Sequence, residues 1–504
     1  MIKVLIYFLI SSIIVISCSN EEKVQNENIS DKDLAIQYCS GCHLYPEPSL
    51  LPKSKWENVI SEMRPYMGLF DNELQRDSLI GNDPFEKKIF NQRNVFPKSP
   101  MMSEENYSRV LKYYLNESPD SVDFKIPTKD IQVFKGFEIK EPELKVKIPS
   151  TTVVEMQSGN IFVGDVNTRS LSIFDKNLKL RFTRDIGQAP VHMNFFENVI
   201  FVTIMGSFTP TDQPLGQIMA IDNKSGQSII LIDSLQRPVH TAVDDLNNDG
   251  LPDLVISEFG NKTGQLSLWL NKGQNKFERK NLRLKPGSIK SFIKDMDNDG
   301  DLDIVTLFAQ ADEGIYLFTN DGNANFTEKT IKRFPSIYGS SSIDFTDFNN
   351  DGIIDIVYCN GDNADLSIIS KPYHGIRIFT GDGEDWEEEL FIHMNGAYKA
   401  ISKDFDLDGD VDIAAISFFP DYEKAPQESF VFFENDGKNN FISKSFENSS
   451  RGRWLVMDSF DYDNDGDEDI VLGGLTLQVS KDQRWVKKWM NNGLPFLLLE
   501  NSKN

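Results

Sequence analysis

The sequence predicts a multi-domain chain in which a small all-α unit precedes a large all-β unit built from repeats, and three observations carry that prediction. Helix-capping signals and helical spacing of apolar residues fill residues 30–117. That patterning stops near residue 118, where Pro119, Pro127, Pro142 and Pro149 punctuate the chain. Beyond them an acidic nine-residue motif returns five times, its first aspartates spaced 50, 52, 57 and 57 residues apart. A length of 504 residues is enough for two or three cores, and 39% hydrophobic residues is a globular composition. The formal charge of −25 argues against a nucleic-acid partner, because phosphate backbones demand a basic surface.

The chain begins with Lys3 and a thirteen-residue apolar run from Val4 to Ile16, interrupted only by Ser11 and Ser12. A spanning helix needs about 20 apolar residues, so the run suits a signal-peptide core instead. It ends in Val15-Ile16-Ser17-Cys18, which resembles the lipobox of bacterial lipoproteins. The resemblance implies a signal peptide over 1–17, a lipidated Cys18 and a tether over 18–29. An uncleaved anchor with an incidental cysteine is the plainer alternative. Ser19-Asn20-Glu21-Glu22 looks like an acidic surface-export tag, leaving both the periplasmic face of the outer membrane and the cell surface open as locations.

Residues 30–117 open with Ser30-Asp31-Lys32-Asp33, a capping box for a helix leading into Cys39-Ser40-Gly41-Cys42-His43. C-x-x-C-H is the attachment pattern for c-type haem: two thiols reach two vinyl groups of one porphyrin, and the next residue turns its imidazole to the iron. A redox C-x-x-C needs no such histidine. Ser54-Lys55-Trp56-Glu57 reads as a second capping box, and Ser103-Glu104-Glu105 caps a last helix carrying Tyr107, Val110, Leu111, Tyr114 and Leu115. The segment resembles a cytochrome c domain. That resemblance implies Cys39, Cys42 and His43 as haem ligands and a methionine as the sixth. The spacing from Trp56 to Met63 resembles domains with a helical methionine ligand and favours Met63. Met67, Met101 and Met102 remain alternatives, and Met63 also lies at core spacing.

Residues 118–144 read as a linker and 145–504 as the repeat unit. The motif D-x-[DN]-x-D-G-x-x-D occurs as Asp245, Asn247, Asp249, Asp253; Asp295, Asp297, Asp299, Asp303; Asp347, Asn349, Asp351, Asp355; Asp404, Asp406, Asp408, Asp412; and Asp461, Asp463, Asp465, Asp469. Alternate side chains converge when such a loop curls around a hard cation, glycine takes the sharp turn, and the ninth-position aspartate closes the shell. Magnesium fits less well, because it keeps its waters and prefers few carboxylates. Up to five Ca²⁺ would offset ten of the −25 charges, and loops one and three, with Asn at position three, should bind more weakly. Strands flank each loop, and Asn320-Asp321-Gly322 and Asn435-Asp436-Gly437 signal hairpins. The repeat resembles the FG-GAP, or VCBS, family of integrin-type repeats, whose units are blades of a β-propeller. Segments near Ile161–Phe174 and Val199–Ile221 then read as blades without the loop, giving seven blades.

His240, Lys290 and Lys399 each fall five residues before a first loop aspartate, and His192 recurs at a similar blade position. They are the weak catalytic candidates, weighed against channel-lining residues without a task. Cys359 reads as a small buried hydrophobe. The favoured function is a cell-envelope lipoprotein whose haem c transfers electrons to or from a redox partner protein. Its propeller would bind a partner, either a polysaccharide or a cell-surface protein. A propeller dehydrogenase oxidising a sugar or alcohol, and a non-redox adhesion scaffold, are the other two readings. Fold alone licenses no activity.

Overall fold

The computed structural model describes residues 29–121, 130–364, 369–383, 385–476 and 483–502. The signal segment, Cys18 and all of the tether but residue 29 lie outside the described residues.

Five α-helices build the N-terminal unit: α1 (Asp31–Cys39), α2 (Lys53–Met63), α3 (Glu73–Ile80), α4 (Pro84–Gln92) and α5 (Glu104–Glu117). The Ser30 hydroxyl caps α1, accepting the Asp33 N–H at 3.1 Å, and donates to the Asp33 carboxylate at 2.7 Å in place of the backbone return bond of the expected box. Ser103 accepts the Asn106 N–H at 3.1 Å at the start of α5. The box expected at Ser54 does not form. Helix α2 starts at Lys53 behind Pro52, whose side chain cannot cap, and the Lys53 N–H donates to Pro119 O at 2.8 Å instead. Helix α5 crosses α1 and α2, and Tyr114 packs on Trp56 with ring centroids 4.5 Å apart. Both rings are fully buried yet satisfied, Trp56 Nε1 donating to Pro48 O and Tyr114 Oη to Pro46 O.

Residues 132–501 form seven sheets, the blades of a β-propeller. Blade 1 spans 151–185, blade 2 190–235, blade 3 238–283, blade 4 288–333, blade 5 340–393, blade 6 397–445 and blade 7 454–501. The first strands of successive blades are neighbours around the ring, Trp454–Phe460 returning to Thr151–Gln157, so they line its centre. Second strands such as Asp253–Glu258 are buried at every position because other strands cover both faces; outer strands such as Phe326–Arg333 are largely exposed and charged. Both Asn-Asp-Gly turns form hairpins between third and fourth strands.

Within the linker expected over 118–144, two short segments are strands of the ring. Gln132–Val133 adds a parallel strand to blade 6, and Phe137–Lys140 is the outermost strand of blade 7, paired antiparallel with Phe496–Asn501. Lys140 pairs with Glu500, and Phe134 stacks on Phe137 and contacts Phe432. Chain segments from opposite ends thus share one blade, which leaves blade 7 no missing edge.

The helical unit sits on the face made by loops between second and third strands and between blades. Ile337 and Tyr373 join its core, and Leu44 bridges Pro335. The five acidic loops join first to second strands, at the opposite end of the blades. No described helix is long and apolar enough to cross a membrane.

Candidate functional site

A cavity of about 450 Å³ lies where the helical unit meets the propeller. Cys39 from the end of α1, Cys42 and His43 after it, and Met63 from the end of α2 all line it. Trp56, Val59, Ile60 and Val110 make the rest of that wall apolar. The His43 ring Nδ1 lies 2.9 Å from Leu44 O, so Nδ1 carries the proton and Nε2 keeps its lone pair. Burial pushes the Cys39 thiol up to about 11 and lowers the His43 pKa. The cysteines are not joined to each other. Met67 and Met102 also line the cavity, whereas Met101 is half exposed and does not. These donors fit a haem: two thiols, a histidine of fixed tautomer and a thioether around one apolar space.

The five acidic loops share one geometry. The position-one carboxylate accepts the N–H of the position-six glycine, as Asp245 does from Gly250 at 2.7 Å and Asp347 from Gly352 at 2.8 Å. Those glycines have φ between +83° and +98°, where a Cβ is disfavoured. Carboxylate oxygens of Asp295, Asp297 and Asp299 lie within 4.8 Å of one another, as do those of Asp461, Asp463 and Asp465. In the fourth loop the trio is Asp404, Asp406 and Asp412. Asp295 Oδ1 is buried without a hydrogen-bond partner among the described residues. The position-nine residues Asp253, Asp303, Asp355, Asp412 and Asp469 are fully buried. Each also ties its loop to the blade: Asp412 accepts the N–H of Phe405 at 3.2 Å and of Asn435 at 2.9 Å, and Asp469 those of Tyr462 and Asn501. Burial, with neighbouring carboxylates adding to it, raises Asp412 and Asp469 to about 7 and Asp253 to about 6. Such groups could hold a divalent cation, which would remove that cost.

The centre of the ring holds His192, His240, Lys290 and Lys399, each half-buried on a first strand. Each reaches the backbone of the next blade. His192 Nδ1 accepts from Thr241 N at 3.4 Å and His240 Nδ1 from Ser291 N at 3.5 Å. Lys290 Nζ donates to Ile343 O at 3.0 Å and Lys399 Nζ to Met457 O at 2.6 Å. Asp344 and Asp458 continue the pattern, accepting from Ser402 N at 3.1 Å and Met156 N at 2.8 Å. The two histidines stack with centroids 3.9 Å apart. Burial and the two lysines hold His192 at about 3, and burial with Lys399 lowers Lys290 to about 8. These residues stitch neighbouring blades together. Cys359, buried in the strand Asp355–Asn360, packs in the core.

The FG-GAP-like repeat family matches residues 245–306 and 295–358. Three of the five acidic loops thus lie in segments that match FG-GAP-like repeats. No curated protein is significantly similar to it in sequence. Among solved structures, the N-terminal domain of Nup159 is 10% identical, with 74% of this chain and 97% of that one covered and a TM-score of 0.41. Saccharomyces cerevisiae Sqt1 is 10% identical, with 74% and 100% covered and a TM-score of 0.42.

The acidic loops have a further demand that the motif alone did not reveal. Position four is left-handed in all five loops: Asn248, Asn298, Asn350 and Asn464 sit at φ near +60°, and so does Leu407. Asparagine adopts that region readily, whereas leucine does so at a cost. Replacing Leu407, 41% exposed, with asparagine should therefore stabilise the protein by about 1 kcal/mol. Chemical denaturation measures it, and an unchanged or lower midpoint would refute the strain.

Proposed function

We propose that this chain is a cell-envelope lipoprotein that carries one covalent haem c for electron transfer, joined to a calcium-stabilised propeller that binds a partner or glycan. An FG-GAP β-propeller is consistent with a binding or scaffold module. The observation that carries the redox half is the single apolar cavity gathering Cys39, Cys42, His43 and Met63. When bound, haem c supplies one-electron exchange with a redox partner protein. Cys39 and Cys42 would hold the macrocycle, and His43, oriented through Leu44 O, would supply a nitrogen ligand to the iron. Met63, Met67 and Met102 are the thioethers within the cavity, and Met63 is the favoured sixth ligand. The calcium half is supported by the clustered aspartates and by the unpartnered Asp295 oxygen.

Absorption spectra of the purified mature protein, oxidised and dithionite-reduced, test this reading together with a haem stain on a denaturing gel. A sharp reduced c-type spectrum with covalent stain supports it. Absence of both leaves a non-redox scaffold. In the loaded protein, Met63→Ala should remove the thioether-to-iron charge-transfer band while Met102→Ala keeps it. The opposite pattern assigns the sixth position to Met102.

A further inference from the structure

The cavity has two walls of different origin and chemistry. The helical unit supplies the thiols, the histidine and most of the apolar surface, whereas propeller loops close the other side with Thr263, Leu284, Gln310 and Ile337. Arg93, Lys262 and Lys285 also line it, and among the described lining residues none is acidic. Arg93 and Lys262 are half-buried and Lys285 is exposed, so all three keep contact with solvent while offering positive charge to an anion at the edge of the space. The space therefore suits an occupant with a flat apolar body and negative groups at its edge.

Two of these cations are held by built contacts. The fully buried Asp212 carboxylate accepts the N–H groups of Asn261 at 3.1 Å, Lys262 at 3.1 Å and Thr263 at 2.7 Å, which fixes the loop bearing Lys262. Glu86 on α4 accepts from the Thr211 hydroxyl at 3.2 Å and the Asp212 N–H at 3.3 Å, so the helical unit latches onto that same support. Arg93, just after α4, donates across the seam to Leu284 O at 3.3 Å and Gln265 Oε1 at 3.2 Å.

We infer that Arg93, Lys262 and Lys285 form the anion-holding edge of the haem pocket, pairing with the two haem propionates, so that the propeller completes the pocket and tunes its potential. The inference rests on the haem reading above. Reduction adds one negative charge to the occupant, and nearby cations favour that state. Loss of the cations should lower the midpoint potential.

The test is a spectroelectrochemical titration of the full-length mature protein and its Lys262→Gln/Lys285→Gln variant. The expected result is a lower midpoint potential with full covalent haem stain and an unchanged thermal unfolding midpoint. Lys262→Arg/Lys285→Arg should return the potential toward that of the parent. Lys285 is exposed, so Lys285→Gln alone keeps the fold and should give part of the same shift. Equal potentials across these fully loaded proteins overturn the inference and leave the haem reading standing. A parent protein without covalent haem overturns both.

Discussion

Replacing both Cys39 and Cys42 with alanine should abolish the haem stain of the denatured protein completely, because no other described thiol lines the cavity. The same exchange should loosen the helical unit. An apolar cavity of about 450 Å³ is large for a unit of some 90 residues. Without an occupant, the apolar walls made by Trp56, Ile60 and Val110 lose the stabilisation that burial would give them, about 25 cal/mol per Å². The apo unit must take up water, collapse or unfold. Far-ultraviolet circular dichroism should show lost helix on gentle heating while the β signal of the propeller persists. Undiminished haem stain in the double variant would remove Cys39 and Cys42 as attachment points. Stain lost without any change in the helical melt would mean that the unit folds independently of its occupant.

Chelation of divalent cations should lower the melting temperature of the propeller by on the order of 10 °C. A site at a hundredfold excess of cation over its dissociation constant stabilises by about 2.7 kcal/mol. Five loops acting even partly together lose several kcal/mol, at roughly 2–4 °C of melting temperature per kcal/mol for a domain of a few hundred residues. The cause lies in the loops. Without a cation, Asp404 and Asp406 face the buried Asp412, whose carboxyl is already pushed up to about 7. Calcium added back should restore the melt more fully than magnesium, which prefers fewer carboxylates and its own waters. The loops with Asn247 and Asn349 should empty first in a calcium titration, because each carries one charge less. A melt indifferent to chelator would mean empty loops held by their hydrogen bonds alone.

Local chemistry was legible in the sequence, and contacts made over long separations were not. Ser30 and Ser103 announced their helices because a cap is decided within four residues. Ser54 misled because the first N–H of α2 finds its acceptor at Pro119, a partner 66 positions away that no local pattern encodes. The five loops and the hairpins were readable for the same reason as the caps: glycine, aspartate and asparagine at fixed offsets specify a turn. Strands of two and four residues at Gln132–Val133 and Phe137–Lys140 carry too little alternation to be seen, and proline-rich surroundings disguised them. In the cavity, Cys39, Cys42, His43 and Met63 stood out by motif, whereas Lys262 and Lys285 belong to loops without a pattern of their own. The central residues His240, Lys290 and Lys399 were placed correctly in register, yet their backbone partners in the next blade follow only from closure of the ring.

The blade shared by Phe137–Lys140 and Phe496–Asn501 sets the order of events during biosynthesis. Its two partners are separated by some 360 positions, as Lys140 and Glu500 are. During synthesis Phe137–Lys140 must stay unpaired until Phe496–Asn501 has been made. Blades 1 to 5, and the four antiparallel strands of blade 6, can assemble as a growing stack of hairpins whose contacts are short in sequence. The captures of Gln132–Val133 by blade 6 and of Phe137–Lys140 by blade 7 are long-range steps that close the circle, and they bear the loop-closure entropy of the repeat array. Truncation of the last few residues should thus strand an otherwise assembled ring with an open seam, exposing two strand edges to neighbouring copies.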